Sequence, residues 1–156
     1  MAKQPREFIL NINMACRSAK VFLLQGEQML RTASTNGLIF FDYYISPCAV
    51  NLAFSCELYL KILIAAENNN IVKEGHGLND LWKQVGIEHQ HKIEQEYSRQ
   101  KTILTLDQCL STHDLTFIEW RYYAEAGKNI RLEPWSLYYL SLSLYHVCEE
   151  VIENAN

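Results

Sequence analysis

From Pro47 to Ala66 the chain runs P-C-A-V-N-L-A-F-S-C-E-L-Y-L-K-I-L-I-A-A, apolar at nearly every position. Such a run makes about five turns of helix, and a helix greasy on almost every side belongs in the middle of a bundle. Ser46 and Pro47 mark its expected start, as an N-cap hydroxyl and a proline in the first turn, where no donor is lost. Two charges interrupt it, Glu57 and Lys61, spaced to stack on one face with the acid N-terminal to the base. An ion pair on a buried helix is costly to desolvate, so it either specifies packing or belongs to a site. Packing is the plainer reading.

Working outward, Phe8, Ile12, Ala15, Ala19, Phe22 and Met29 recur at steps of a helical face and predict a first helix from Pro5 to Arg31, closed by Asn36-Gly37. The apolar connection L-I-F-F-D-Y-Y-I, residues Leu38 to Ile45, is too sticky for an exposed loop and is expected on the bundle or against a second subunit. Asn68-Asn69-Asn70 stops the central helix. A short helix is expected over L-N-D-L-W-K-Q-V, closed by Gly86, then a solvated one over Ile87 to Gln100. Ser111 to Asp114 resembles a capping box that would start L-T-F-I-E-W-R-Y-Y-A-E-A, ended by Gly127. Pro134 opens a last helix with Leu137, Leu140, Leu144, Val147 and Val151 facing inward. No stretch combines the strand period with turn chemistry. The expected fold is all-α, an antiparallel helical bundle of about five helices in a single domain over residues 1–156.

Composition narrows the functions. Only six glycines and three prolines occur, too few for a turn-rich β fold. A net charge of −4 gives no bulk support to a non-specific nucleic-acid binder. The cysteines at 16, 48, 56, 109 and 148 are odd in number and include no C-x-x-C, which fits reduced, buried thiols of a cytoplasmic protein. The first residues lack the apolar core of a signal peptide, and Glu57 and Lys61 break the longest apolar run, so no membrane span is expected. No cofactor and no metal are expected: phosphate-loop, dinucleotide and H-E-x-x-H patterns are missing, and His89 and His91 would point to different faces.

Three places hold candidate chemistry. His76 sits between two glycines just before a helix. Arg121 and Glu125 lie one turn apart beside Trp120 and Tyr122, where the arginine can stack, pair with the acid or present a fork to phosphate. Arg121, Lys128 and Arg131 gather positive charge before the last helix, diluted by Glu125 and Glu133. The default readings are a structural histidine, a stacked arginine and a solvated surface.

The order C-E-L-Y-L-K, then G-H-G-L-N-D-L-W, then F-I-E-W-R-Y before a final helix resembles the HEPN domains over roughly Val21 to Val151. These are small all-α bundles of prokaryotic toxin–antitoxin, phage-defence and stress systems. The resemblance implies an antiparallel bundle with a short inserted helix, a homodimer with its site at the subunit junction, and RNA, a nucleotide or a cognate protein as partner. Many HEPN proteins are metal-independent ribonucleases with an arginine followed after four to six residues by a histidine. That pair suits RNA cleavage, since histidine shuttles a proton near neutrality and arginine holds the phosphate. Arg121 matches the arginine by position, but residues 126 to 128 are Ala-Gly-Lys and no histidine follows until His146. The signature is broken. The leading expectation is therefore a dimeric, non-catalytic binding or regulatory protein, with Glu57, Lys61, Arg121, Tyr122, Lys128 and Arg131 as its binding residues. The alternatives are a ribonuclease with a rearranged site of Arg121, Glu125 and His76, and a helical adaptor with tyrosine-rich surfaces for another protein.

Overall fold

The structure, a computed structural model, describes residues 5–36, 38–121 and 132–155, and gives the backbone alone for 38–43, 121 and 155. It is all-α. Among the described residues are seven helices: α1 (Ile12–Thr35), α2 (Leu38–Glu67), α3 (Leu78–Trp82), α4 (Ile87–Ser98), α5 (Leu106–Thr112), α6 (Thr116–Arg121) and α7 (Pro134–Ala155). The long helices α1, α2 and α7 pack on one another, α3 and α6 lie on α2, and α4 covers α7. Leu52, Leu60, Ile62 and Leu63 of α2 are fully enclosed, as are Leu137, Leu140 and Leu144 of α7, while Val151 is half-buried. Tyr44–Glu67 is long and apolar enough to cross a membrane, yet 78% of its most apolar 18-residue stretch is buried within the bundle. Burial inside the protein accounts for its composition.

Small residues bring α1 and α2 together. The buried face of α1 reads Ala15, Ala19, Leu23, Gly26, Leu30 and Ala33. A Cβ on Gly26 would stand 2.6 Å from the Leu52 side chain, so only glycine admits this approach. Ser55 fastens three helices at once, its hydroxyl donating to the Ala19 carbonyl at 2.9 Å and lying 2.7 Å from the Ser141 hydroxyl. Cys48, Cys56 and Cys148 fill the same seams, each thiol facing a carbonyl of another helix. Burial pushes the Cys48 thiol up to about 12 and those of Cys56 and Cys148 well up as well, so all three stay protonated.

The structure corrects the expected boundaries in four places. The chain from Pro5 does not enter a helix. Glu7–Ile9 forms a short strand, β1, paired antiparallel with β2 (Ile71–Lys73), Phe8 opposite Val72. Asn11 then caps α1, its side chain accepting from the Met14 amide at 3.1 Å. Asn69 and Asn70, both in the left-handed region, turn the chain so that β2 can reach β1. Second, the expected connection at 38–45 is itself helical, so α2 starts at Leu38 and Pro47 lies inside it. Ser46 is no N-cap; its hydroxyl donates to the Trp120 carbonyl at 3.2 Å. Pro47 is exposed, and the tertiary packing of α2 outweighs the roughly 3 kcal/mol that an interior proline costs. Third, the capping box belongs to Thr105 and Gln108 at the start of α5, not to Ser111 and Asp114. Asp114 caps α3 from a distance, accepting from the Asn79 amide at 2.7 Å. Fourth, the short helix after Gly77 ends at Trp82 rather than running to Gly86.

His113 locks this region to the last helix. Its imidazole is fully buried; Nδ1 lies 2.9 Å from the Cys109 carbonyl, and Nε2 accepts from the Glu133 amide at 3.1 Å. Nδ1 must therefore carry the proton. The Glu133 carboxylate in turn accepts from the Trp135 and Ser136 amides and starts α7.

Two outcomes are expected. Gly26→Ala should lower stability by about 1–2 kcal/mol in urea unfolding, the clash with enclosed Leu52 outweighing a helix-propensity gain of about 1 kcal/mol. Burial lowers the His113 pKa from its ordinary value. Below about pH 6.5 the unfolded chain then binds a proton that the folded chain refuses. The His113 contribution is complete above that pH and is lost as the pH falls through the folded value. The drop in unfolding midpoint between about pH 7.5 and 5.5 should be smaller in His113→Leu than in the parent chain.

Candidate functional site

Near the middle of α2 the two interrupting charges do meet. Lys61 Nζ lies 2.6 Å from Glu57 Oε1, and the two side chains are 8% and 2% exposed. A third group closes on the same carboxylate: His76 Nδ1 is 3.0 Å from Oε1 and 3.1 Å from Oε2. An ionised carboxylate only accepts, so Nδ1 donates and Nε2 is left to other partners. Removing a carboxylate from water costs several kcal/mol, and only close charge-assisted contacts make that tolerable. Glu57 has them on both oxygens.

The arrangement depends on segments far apart in the chain. His76 stands in the turn between β2 and α3, and the β1–β2 pairing sets one end of that turn. Asp114 sets the other, its main-chain carbonyl accepting from the Leu78 amide and its carboxylate from Asn79. Gly77 passes Asp114 so closely that a Cβ there would stand 3.2 Å from its carboxylate oxygen. The Phe117 ring of α6 lies 5.8 Å from the imidazole and stacks on Phe54 at 4.7 Å. The Lys61 ammonium lies 5.9 Å from the Phe8 ring. Burial of both side chains raises the strength of their attraction.

The side chain of His76 is 47% exposed and lines a cleft of about 500 Å³. Lys73, Glu74, Asp80 and Gln84 line the same cleft. Two acids against one lysine make a poor seat for a polyanion. Among the described residues no three histidine, cysteine or acidic side chains gather as a metal would require. His89 is engaged elsewhere, with Nδ1 2.6 Å from Glu67 Oε1.

Of the residues expected at a site, the structure brings Glu57, Lys61 and His76 together. Arg121 is the last residue of α6, one turn beyond Phe117, and α6 packs on α2. The side chain of Arg121 and the whole of Tyr122, Glu125, Lys128 and Arg131 lie outside the described residues. His76, read by default as a structural histidine, bonds across the bundle to Glu57. Asp114, which sets its turn, was missed, since a cap supplied from a distant loop leaves no local spacing to read. The chain matches no family model, no curated protein and no solved structure.

Removing one partner of the buried pair should be expensive. Glu57→Ala, which strands Lys61 in the bundle, is expected to cost about 3–5 kcal/mol in chemical unfolding. Glu57→Leu combined with Lys61→Met should recover most of that loss. His76→Ala should cost less, because its ring is half in solvent. Additive losses for Glu57 and Lys61 would show that the two side chains do not interact.

Proposed function

We propose that this chain is a HEPN-like binding and regulatory module, a cytoplasmic homodimer of a prokaryotic defence, stress or toxin–antitoxin system, with a cognate protein as its partner and no catalytic activity of its own. The observation that supports this most is the state of Glu57. Both its oxygens are committed to Lys61 and His76, in a setting that fixes the turn at 74–77 to the central helix. A carboxylate held in this way positions backbone. The acidic rim of the cleft beside His76 and the missing histidine after Arg121 both argue against RNA as a substrate. The fixed turn offers a rigid, polar surface of the kind that a protein partner reads.

A second reading rests on a specific geometry. Glu57 holds the imidazole by Nδ1, which fixes its tautomer and leaves Nε2 of a half-exposed ring as a base. Nε2 would take the proton of a ribose 2′-OH, whose oxygen attacks the adjacent phosphorus as the bond to the 5′-oxygen breaks. The leaving oxygen then takes a proton from water or from the imidazolium. Arg121, on the helix packed beside this ring, is the residue to hold the phosphate.

Incubation of the purified chain with single-stranded RNA in the presence of a metal chelator separates the two. The expected result is no cleavage above that of His76→Ala, together with a dimer in sedimentation. Metal-independent cleavage abolished by both His76→Ala and Arg121→Ala would replace the first reading with the second. A monomer at all concentrations would remove the dimer from the first.

A further inference from the structure

The two-stranded ladder leaves one of its edges open. In β1 the even-numbered residues bond toward β2: the Arg6 carbonyl accepts from the Glu74 amide, and the Leu10 amide donates to the Asn70 carbonyl, both at 2.8 Å. Antiparallel pairing alternates, so the amides and carbonyls of Glu7 and Ile9 point the other way, out of the sheet. Residues 5–9 are all exposed, and Ile9 is 80% so. The far side of β2 is occupied by comparison, since the Ile71 amide donates to the Asn68 carbonyl at 2.9 Å and Val72 is buried. A free edge is a template for another extended backbone, and proteins usually blunt it with charge, proline or a covering element. Pro5 limits this edge at one end and the entry into α1 at the other, while Ile9 stands uncovered between them.

The side chains say which backbone fits. Ile9 lies opposite Ile71, itself 43% exposed, on the face of the ladder away from Phe8 and Val72. A second β1, laid antiparallel across a two-fold axis at Ile9, satisfies the outward groups of that residue in both copies, each amide donating to the carbonyl of the other. The row across the joined sheet then reads Ile71, Ile9, Ile9, Ile71. On the other face Phe8, 39% exposed, comes opposite the half-buried Leu10 of the second copy. Moving the axis to Phe8 would instead set Glu7 against Ile9, an acid against an apolar side chain. The apolar pattern therefore selects the register centred on Ile9.

We propose that β1 is a dimerisation edge, which pairs antiparallel with β1 of a second copy of this chain to make a four-stranded sheet with Ile9 at the two-fold axis. This pairing supplies the surface of the homodimer proposed above and rests on that part of the reading. The strands are short, so association through them is weak and depends on concentration.

Sedimentation velocity of the whole chain across a wide concentration range tests the pairing, with Ile9→Lys and Ile9→Glu as variants. Ile9 is mostly in solvent, so neither change should alter the helical spectrum. The parent chain should dimerise. Each variant alone should associate about tenfold more weakly, since it sets two like charges against each other at the axis. An equimolar mixture of the two variants should dimerise again, because lysine then meets glutamate, a recovery that damage to the fold would not give. Variants that dimerise as well as the parent would overturn this edge and leave the homodimer standing, and so would a mixture that associates no better than either variant alone. A parent chain that stays monomeric at every concentration would overturn both, and would leave the edge to an extended segment of another protein.

Discussion

A carboxylate that is 2% exposed in the middle of an apolar helix constrains everything placed around it. Glu57 cannot be left with Lys61 alone, because one i,i+4 contact satisfies only one of its oxygens. The second oxygen needs a donor from another part of the chain, and His76 supplies it from a turn that no helix holds. That turn must therefore be fixed at both ends. The β1–β2 ladder fixes the end before it, and Asp114 fixes the end after it. A residue from the N-terminal segment, one from the central helix, one from the turn and one from the loop before α6 are thus tied by a single desolvated charge. Loss of any tie exposes the carboxylate to a poorer environment, so the cluster couples segments that hydrophobic packing alone would leave independent.

The apolar helix sets the second constraint. Because α2 is greasy on nearly every side, it must be covered on every side, by α1, α7, α3 and α6 together. Covering helices can approach only as closely as their side chains permit, which is why α1 turns alanine and glycine toward α2. Polar groups caught in these seams need partners there. Ser55, Ser141 and the thiols of Cys48, Cys56 and Cys148 find carbonyls or one another. These contacts account for the burial of Cys48, Cys56 and Cys148.

Much of this was legible in the residues. Periods of three and four marked α1 and α7, an almost unbroken apolar run marked α2, and its charge spacing announced a contact between Glu57 and Lys61, because all these signals are carried by neighbours in sequence. What escaped was decided by partners far away. Phe8 and Ile9 continue the apolar period of α1, yet they pair with β2, sixty-odd residues on, which local spacing cannot show. Ser46-Pro47 has the chemistry of a helix start, but Ile45 just before it is buried and the helix runs straight through. Ser-x-x-Asp at 111–114 looked like a box, while Thr105 with Gln108 made one. Asp114 was spent on another helix. At the site, the pair on α2 could be read from its spacing, but the choice of His76 as its third member depends on the turn geometry.

The two faces of α2 illustrate how one helix can hold two different kinds of unfinished chemistry. Along the Glu57–Lys61 face the polar groups satisfy one another, and only His76 retains an atom turned outward. Two residues on, the helix has rotated by more than half a turn and places Tyr59 against α1 and α7, where its hydroxyl is paired with nothing in the described chain. The first face is closed by the protein's own donors, so a ligand there would compete with Lys61 or meet the second nitrogen of one histidine. The second face holds a buried hydroxyl that has no partner among the described residues, and the rim of the cleft beside it carries the Lys20–Glu149 pair. Binding energy is available where desolvation has already been suffered and not yet compensated. By that criterion the Glu57 cluster, whose desolvated charge is answered on both oxygens, is the part that organises the fold.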